Sequence, residues 1–123
     1  MPMLLTLRIL SYRNQPVPPA EPGRFSAVGG TVGRSPDNAL VLDDPAKYIS
    51  RVHARVVVHD GAFFLEDVGG NPSIVNDRPL GKGSEIALAH GDRIVIGDYQ
   101  LQAMLEMAPD AAPQLPPAQP NNA

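Results

Sequence analysis

An all-β sandwich is the fold that this sequence predicts, and three observations predict it. Apolar residues alternate with polar ones over several short windows, the period that buries one face of a strand. The 14 Pro and 11 Gly punctuate the chain so often that the strands between them must be short. No window sustains an uninterrupted apolar helical period over three turns, so little or no helix is expected.

The elements follow in order. Leu5, Leu7 and Ile9 alternate with Thr6 and Arg8, an opening strand with one buried face. Arg13 to Gly30 carries four Pro and Gly23 and reads as an irregular connection with a short strand near Phe25. Thr31-Val32-Gly33 and Leu40-Val41-Leu42 flank Ser35-Pro36-Asp37-Asn38, whose side chains favour a turn, giving a strand, turn, strand unit. Ala54, Val56 and Val58 alternate with Arg55 and Val57. Asp60-Gly61 then supplies the positive φ of a tight hairpin into Phe63, Leu65 and Asp67. Ile74-Val75 and Glu85 to Leu88 are short strands, separated by Pro79, Gly81 and Gly83. A second hairpin joins Arg93-Ile94-Val95-Ile96 to Tyr99 to Leu105 through Gly97-Asp98. From Ala108 to Ala123 there are five Pro, one charged residue and no aromatic, a composition that buries too little surface to offset its ordering entropy. The expected organisation is therefore one domain over residues 1-107 and a disordered linker over 108-123, as at the end of an excised N-terminal module.

Composition narrows the function. A length of 123 residues accommodates one domain with a real core, and the lack of Trp means a core of Val, Leu and Ile. A net charge of −3 with no basic run gives no footprint for nucleic acid, so no nucleic-acid partner is expected. Without Cys there is neither a disulfide framework nor a thiolate metal site. Met3 to Leu10 is apolar but short, contains Arg8 and precedes no small-residue cleavage pattern, so it does not read as a signal peptide. No segment is long enough for a membrane-spanning helix. The default compartment is the cytoplasm. His59 and His90 have no metal-ligand spacing, Asp37, Asp43 and Asp44 lie too irregularly for a calcium loop, and no cofactor or metal is expected. Those three carboxylates are instead expected to tune ligand choice by repelling acidic side chains.

The chemistry concentrates in loops. Gly33-Arg34-Ser35 is followed by Ser50-Arg51-Val52-His53, and a polar turn carrying Asn71 comes later. Arg34 offers a planar fork, Ser50 a compact hydroxyl and Arg51 a second cation, the donors that a doubly charged phosphate monoester requires. Any one of them alone is ordinary turn chemistry. Ser50 and His53 sit in no G-x-S-x-G elbow, and Gly29 to Gly33 lacks the Gly-Lys-Ser/Thr ending of a phosphate-binding loop, so an enzyme is not expected.

The whole order resembles the forkhead-associated (FHA) domain: Gly33-Arg34, Leu40-Val41-Leu42, Ile49 to Ala54, Asp67, Asn71, Val75-Asn76, Leu88, Gly91-Asp92 and Ile96-Gly97. The resemblance spans roughly Leu5 to Leu105. It implies a sandwich of about eleven mostly antiparallel strands that binds phosphothreonine peptides through loops at one end. It further implies that Arg34, Ser50 and Arg51 contact phosphate, that Asn71 with Gly70 and Tyr48 contacts the peptide, and that Gly33, His53 and Asn76 support the site. The partner so implied is a phosphothreonine-containing protein, either a serine/threonine kinase or its substrate. Gly30 to Asn38, Asp44-Pro45 and Tyr48 to Arg51 also resemble N-terminal FHA modules of bacterial type VI secretion accessory proteins. Three features depart from the family. Its Asn-Gly-Thr turn is here Asn71-Pro72-Ser73, the segment before it, Gly69-Gly70, is shortened and lacks the usual hydroxyl residue, and Asp77 stands where glycine usually follows the second Asn. Pro72 removes a backbone donor from the turn that helps tell phosphothreonine from phosphoserine. That loss keeps open an alternative, a phospho-independent interaction scaffold with a degenerate anion site.

Overall fold

Twelve strands, β1 to β12, are laid out in two sheets in the computed structural model, which describes residues 3–16 and 22–107. The expected linker over 108-123 lies outside the described residues. One sheet runs in the order β2 (Gln15–Pro16), β1 (Met3–Tyr12), β12 (Tyr99–Met107), β11 (Arg93–Ile96), β8 (Ile74–Val75) and β9 (Arg78–Pro79), with β3 (Gly23–Phe25) also paired to β1. The other runs β10 (Glu85–Ala87), β7 (Ala62–Asp67), β6 (Ala54–His59), β4 (Gly30–Gly33) and β5 (Leu40–Val41). Among the described residues there is no helix, in line with the period-two pattern.

Alternation predicts the core well. Leu5 and Leu7 of β1 are completely buried, as are Val32, Leu65, Ile94, Ile96 and Leu101 from the other strands. Burying each such side chain stabilises the fold by about 1.5–3 kcal/mol. Ile9 departs from the strict alternation and is only partly buried, because the register of β1 against β12 shifts between Ile9 and Ser11. β7 alternates Phe63, Leu65 and Asp67 inward as read, so its third inward position delivers a carboxylate to the interior, where Asp67 has no exposed surface.

Both expected hairpins form. Asp60 and Gly61 have φ of 50° and 79°, the two left-handed residues of a type I′ turn between β6 and β7. In the β11–β12 turn Gly97 has φ of 59° while Asp98 is absent from the left-handed region, the pattern of a type II′ turn. Two further tight turns, Arg13-Asn14 and Asn76-Asp77, also place both central residues at positive φ. The strand, turn, strand unit has an unexpected geometry: β4 and β5 pair in parallel, Val32 beside Leu40 and Gly33 beside Val41. Parallel neighbours cannot be joined by a hairpin. Residues 34–39 must therefore leave the sheet and loop back, which carries Arg34 out of the sheet.

Asp77 at φ 69° pays the steric penalty that a glycine would avoid. Asp77→Gly is expected to raise stability by about 0.5–1 kcal/mol, read as a higher urea midpoint at unchanged slope.

Candidate functional site

Three segments meet at one end of the sandwich: the 34–39 loop, the long connection from Leu42 to His53, and the turn after β7 from Val68 to Ser73. Gly33 permits the first meeting. A Cβ there would lie 2.3 Å from the Arg51 carbonyl oxygen and 2.9 Å from the His53 nitrogen, so only glycine lets β4 run this close to the second loop. Arg34 N then donates to Ser50 O (3.1 Å), Ser35 N to Arg51 O (3.1 Å) and His53 N to Val32 O (2.8 Å). The two loops advance side by side, which brings Arg34 next to Ser50.

The side chains complete the arrangement. Arg34 Nε donates to Ile49 O at 3.0 Å, which anchors the guanidinium at one nitrogen. Its two terminal nitrogens have no partner among the described residues and remain available to an anion. Ser50 Oγ accepts from Gly70 N at 3.1 Å. A hydroxyl that accepts from the backbone keeps its own proton to donate elsewhere. Arg51 is exposed and its guanidinium has no partner among the described residues. Asn71 Nδ2 donates to Tyr48 O at 2.8 Å, tying the turn after β7 to the second loop and leaving Oδ1 as an acceptor. Tyr48 is about half exposed (48%).

His53 lies beneath these groups with no exposed surface. Its Nδ1 accepts from Ser50 N at 3.3 Å, so the ring is the neutral tautomer with the proton on Nε2, which finds no partner among the described residues. Burial pushes its pKa below the ordinary histidine value, and the negative charge of Asp67 opposes this only in part. Its carbonyl oxygen accepts from both Val68 N (3.1 Å) and Gly69 N (3.0 Å). The imidazole thus faces a backbone amide of Ser50, not the hydroxyl, which is bracing geometry and not that of a nucleophile with its base. Asn76 stands apart from these loops. It ties the β8–β9 turn to the start of β11, accepting from Arg93 N (3.0 Å) and donating to Asp92 Oδ1 (2.9 Å).

Four residues matter more than sequence reading suggested. Asn38, read only as a turn former, is buried, and its Nδ2 donates to Ser35 O and Arg51 O, each at 2.7 Å, clamping the two loops together. Asp44 corrects an expectation. It is only 6% exposed and accepts from Ile49 N (2.8 Å) and Ala46 N (3.2 Å), so it shapes the loop and does not screen ligands. Asp67 Oδ2 accepts from Ser73 N (2.7 Å) and Gly81 N (2.9 Å), which fixes the far end of the Asn71-Pro72-Ser73 turn. Gly69 is required because a Cβ would come within 2.6 Å of Ser50 Oγ. Of these, Asp67 carried a visible signal, a charged residue in register with two buried apolar ones. His59 and His90 are exposed, and no cluster of metal-binding side chains occurs among the described residues.

The loops at this end of the β sandwich therefore carry hydroxyl and guanidinium donors. Residues 30–97 match the family described as "FHA domain", more than half of the chain. The chain belongs to the FHA domain family, whose members are phosphopeptide-binding modules. Among curated proteins it is 36% identical over 72 residues to the glycogen accumulation regulator GarA of Mycobacterium tuberculosis, covering 58% of this chain and 41% of that protein. It is 38% identical over 61 residues to protein FraH of Nostoc sp., covering 49% and 21%. The matches therefore span less than half the length of these relatives. Among solved structures, the N-terminal FHA domain of Rad53p from S. cerevisiae, in complex with a phosphothreonine peptide, superposes with a TM-score of 0.68 at 22% identity, over 84% of this chain and 94% of that one. The FHA domain of CT664 from Chlamydia trachomatis gives 0.63 at 24% identity, over 88% and 100%. These likenesses show the fold. No helix among the described residues is long and apolar enough to cross a membrane.

Two outcomes follow from the packing. Gly33→Ala is expected to destabilise the domain by about 2 kcal/mol or more in urea unfolding, since the new Cβ strikes backbone and not a movable side chain. Because the folded state holds His53 with a lowered pKa, the unfolded chain takes up the proton first. Stability is expected to be complete above about pH 6.5 as far as this group is concerned. It should then fall by up to about 1.4 kcal/mol per pH unit as the pH drops towards the folded value, read from urea midpoints between pH 7.5 and 5.

Proposed function

We propose that this domain reads phosphothreonine in a partner protein, with Arg34, Ser50 and Arg51 holding the phosphate and Asn71, Gly70 and Tyr48 engaging or shaping the groove for the peptide backbone. The observation that carries this reading is Ser50. Its hydroxyl is held from behind by Gly70 N–H, and its own proton is uncommitted on the loop to which Arg34 is hydrogen-bonded and which also carries the exposed Arg51. Gly70 then acts by orienting the hydroxyl. The Oδ1 of Asn71 is placed to accept from a peptide N–H, because its Nδ2 is already committed to Tyr48. Gly33 and His53 hold the loops, and Asn76 supports the adjoining sheet edge.

The ligand comes from a partner or from a further C-terminal region of a longer chain, because residues 1–123 offer no phosphothreonine on a free segment. The chain has only two threonines, Thr6 and Thr31, and both lie within paired strands β1 and β4. A partner phosphorylated by a serine/threonine kinase, or the kinase itself, is the source we infer. The resemblance of residues 30–51 to type VI secretion accessory modules supports a role in regulating secretion assembly, with residues 1-107 acting as the reader in the cytoplasm and 108-123 as a linker.

A second reading has one specific support. Pro72 provides no N–H and Asn71 has one amide arm already used, so the turn after β7 offers a peptide fewer groups than the family pattern does. On that reading the domain is a phospho-independent scaffold. Calorimetric titration with a phosphothreonine peptide pool and its dephosphorylated control separates the two. Binding is expected to require the phosphate, and Arg34→Ala should weaken it by about thirty- to a hundredfold, the equivalent of roughly 2–3 kcal/mol for lost charge-assisted hydrogen bonds. Equal binding of both pools, or indifference to Arg34→Ala, would establish the scaffold.

A further inference from the structure

We propose that the outer face of the sheet built on β1 and β12 is a docking surface separate from the loop end, one that takes an acidic segment with apolar side chains from a partner protein and needs no phosphate. Alternation decides which side chains lie on this face. Leu5 and Leu7 of β1, Leu101 and Ala103 of β12, and Ile94 and Ile96 of β11 are buried in the core. Their neighbours Thr6 and Arg8, Gln102 and Met104, and Arg93 and Val95 therefore point the other way. Register aligns these in rows. Arg8, Gln102 and Arg93 form one row, with Thr6 and Met104 on one side of it and Gln100, Val95 and Ile74 on the other.

Charge sets this face apart from the rest of the molecule. The strands of its sheet carry Arg8, Arg24, Arg78 and Arg93 against one acid, Glu106, in a chain whose net charge is −3. Glu106 stands four residues along β12 from Gln102, about 13 Å from the arginine row. Arg8 and Arg93 are exposed, and their guanidinium groups have no partner among the described residues. The opposite face of the sandwich treats its cations differently: Arg55 is paired with Glu66 at 2.6 Å and His59 with Glu85 at 3.3 Å. One outer face is neutralised from within, and the other is left cationic. Two strand spacings put Arg8 and Arg93 about 10 Å apart across β12. Between and beside them lie the neutral amide of Gln102 and the partly buried side chains of Met104, Val95 and Ile74. Guanidinium forks bordering apolar carbon match a segment that offers both carboxylates and apolar side chains, and the same charges repel a basic one.

The experiment selects displayed random peptides, all unphosphorylated, on the intact chain. Sequences that combine acidic with aliphatic or aromatic residues are expected to be enriched. The leading one, made synthetically, should shift the backbone amide resonances of Arg8, Gln102 and Arg93, a readout that needs no variant. Its affinity should fall about three- to tenfold between about 50 and 300 mM salt. Arg8→Glu combined with Arg93→Glu should weaken it by about tenfold or more, and this variant should instead prefer the same peptide with its acids replaced by lysine. Both arginines are exposed, so the urea midpoint of the variant should stay near that of the wild type. The result does not depend on whether the loop end reads phosphate, because no phosphate is present. Failure to enrich acidic sequences, resonance shifts confined to the Ser50 loops, or indifference to the double reversal overturns the proposal. Binding of anionic lipid vesicles or duplex DNA through the same two arginines, with no peptide selected, overturns it in favour of a membrane or a nucleic acid.

Discussion

One buried imidazole holds the loop end of this sandwich together. His53 offers its ring nitrogen to Ser50 N–H, its own N–H to the Val32 carbonyl and its carbonyl to Val68 and Gly69, so a single residue joins β4, the Ser50 loop and the turn after β7. The arrangement works only with a neutral ring, because a proton on Nδ1 would confront the Ser50 amide with a second donor. Its burial enforces neutrality by disfavouring the charged form. The presentation of Ser50 is in this sense a consequence of desolvation a few ångströms below the surface.

Asp67 is the second buried anchor, and the two are coupled. Its carboxylate collects the Ser73 and Gly81 amides, giving the segment that follows β7 a fixed return path despite Pro72. Hydrogen bonds to a charged acceptor are stronger than neutral ones, which helps a buried carboxylate compensate for leaving water. The Asp67 charge opposes, in part, the depression of the His53 pKa. Packing, loop shape and the protonation state of the bracing histidine therefore form one linked problem.

Much of this was legible in the residues. The period-two windows located most inward side chains, Asp60-Gly61 and Gly97-Asp98 placed the two main hairpins, and Gly33, Arg34, Ser50 and His53 were readable as a set because their order and spacing survive. What escaped reading was tertiary. Asn38 looks like a turn residue and is, but it also donates to a carbonyl of a neighbouring loop, and no local pattern encodes which loop that is. Asp44 turns back on amides of its own loop, a role its exposed-looking context hides. The parallel pairing of β4 and β5 escaped for the same reason, since two residues of strand carry no signature of direction. Tyr12 and Tyr99 are far apart in sequence and meet only through the register of β1 against β12.

That register has a mechanical meaning. β1 and β12 are antiparallel and paired from Met3 beside Met107 to Tyr12 beside Tyr99, so residues 3 and 107 lie together at the end of the sandwich remote from the Ser50 loops. A pull applied through the two flanks would peel this pair open one rung at a time from Met3 and Met107 instead of loading all rungs in shear. Rupture would then travel towards the loop end and reach Tyr12 and Tyr99 last, so a domain pulled at its two flanks yields several rungs under tension before its loop end is disturbed.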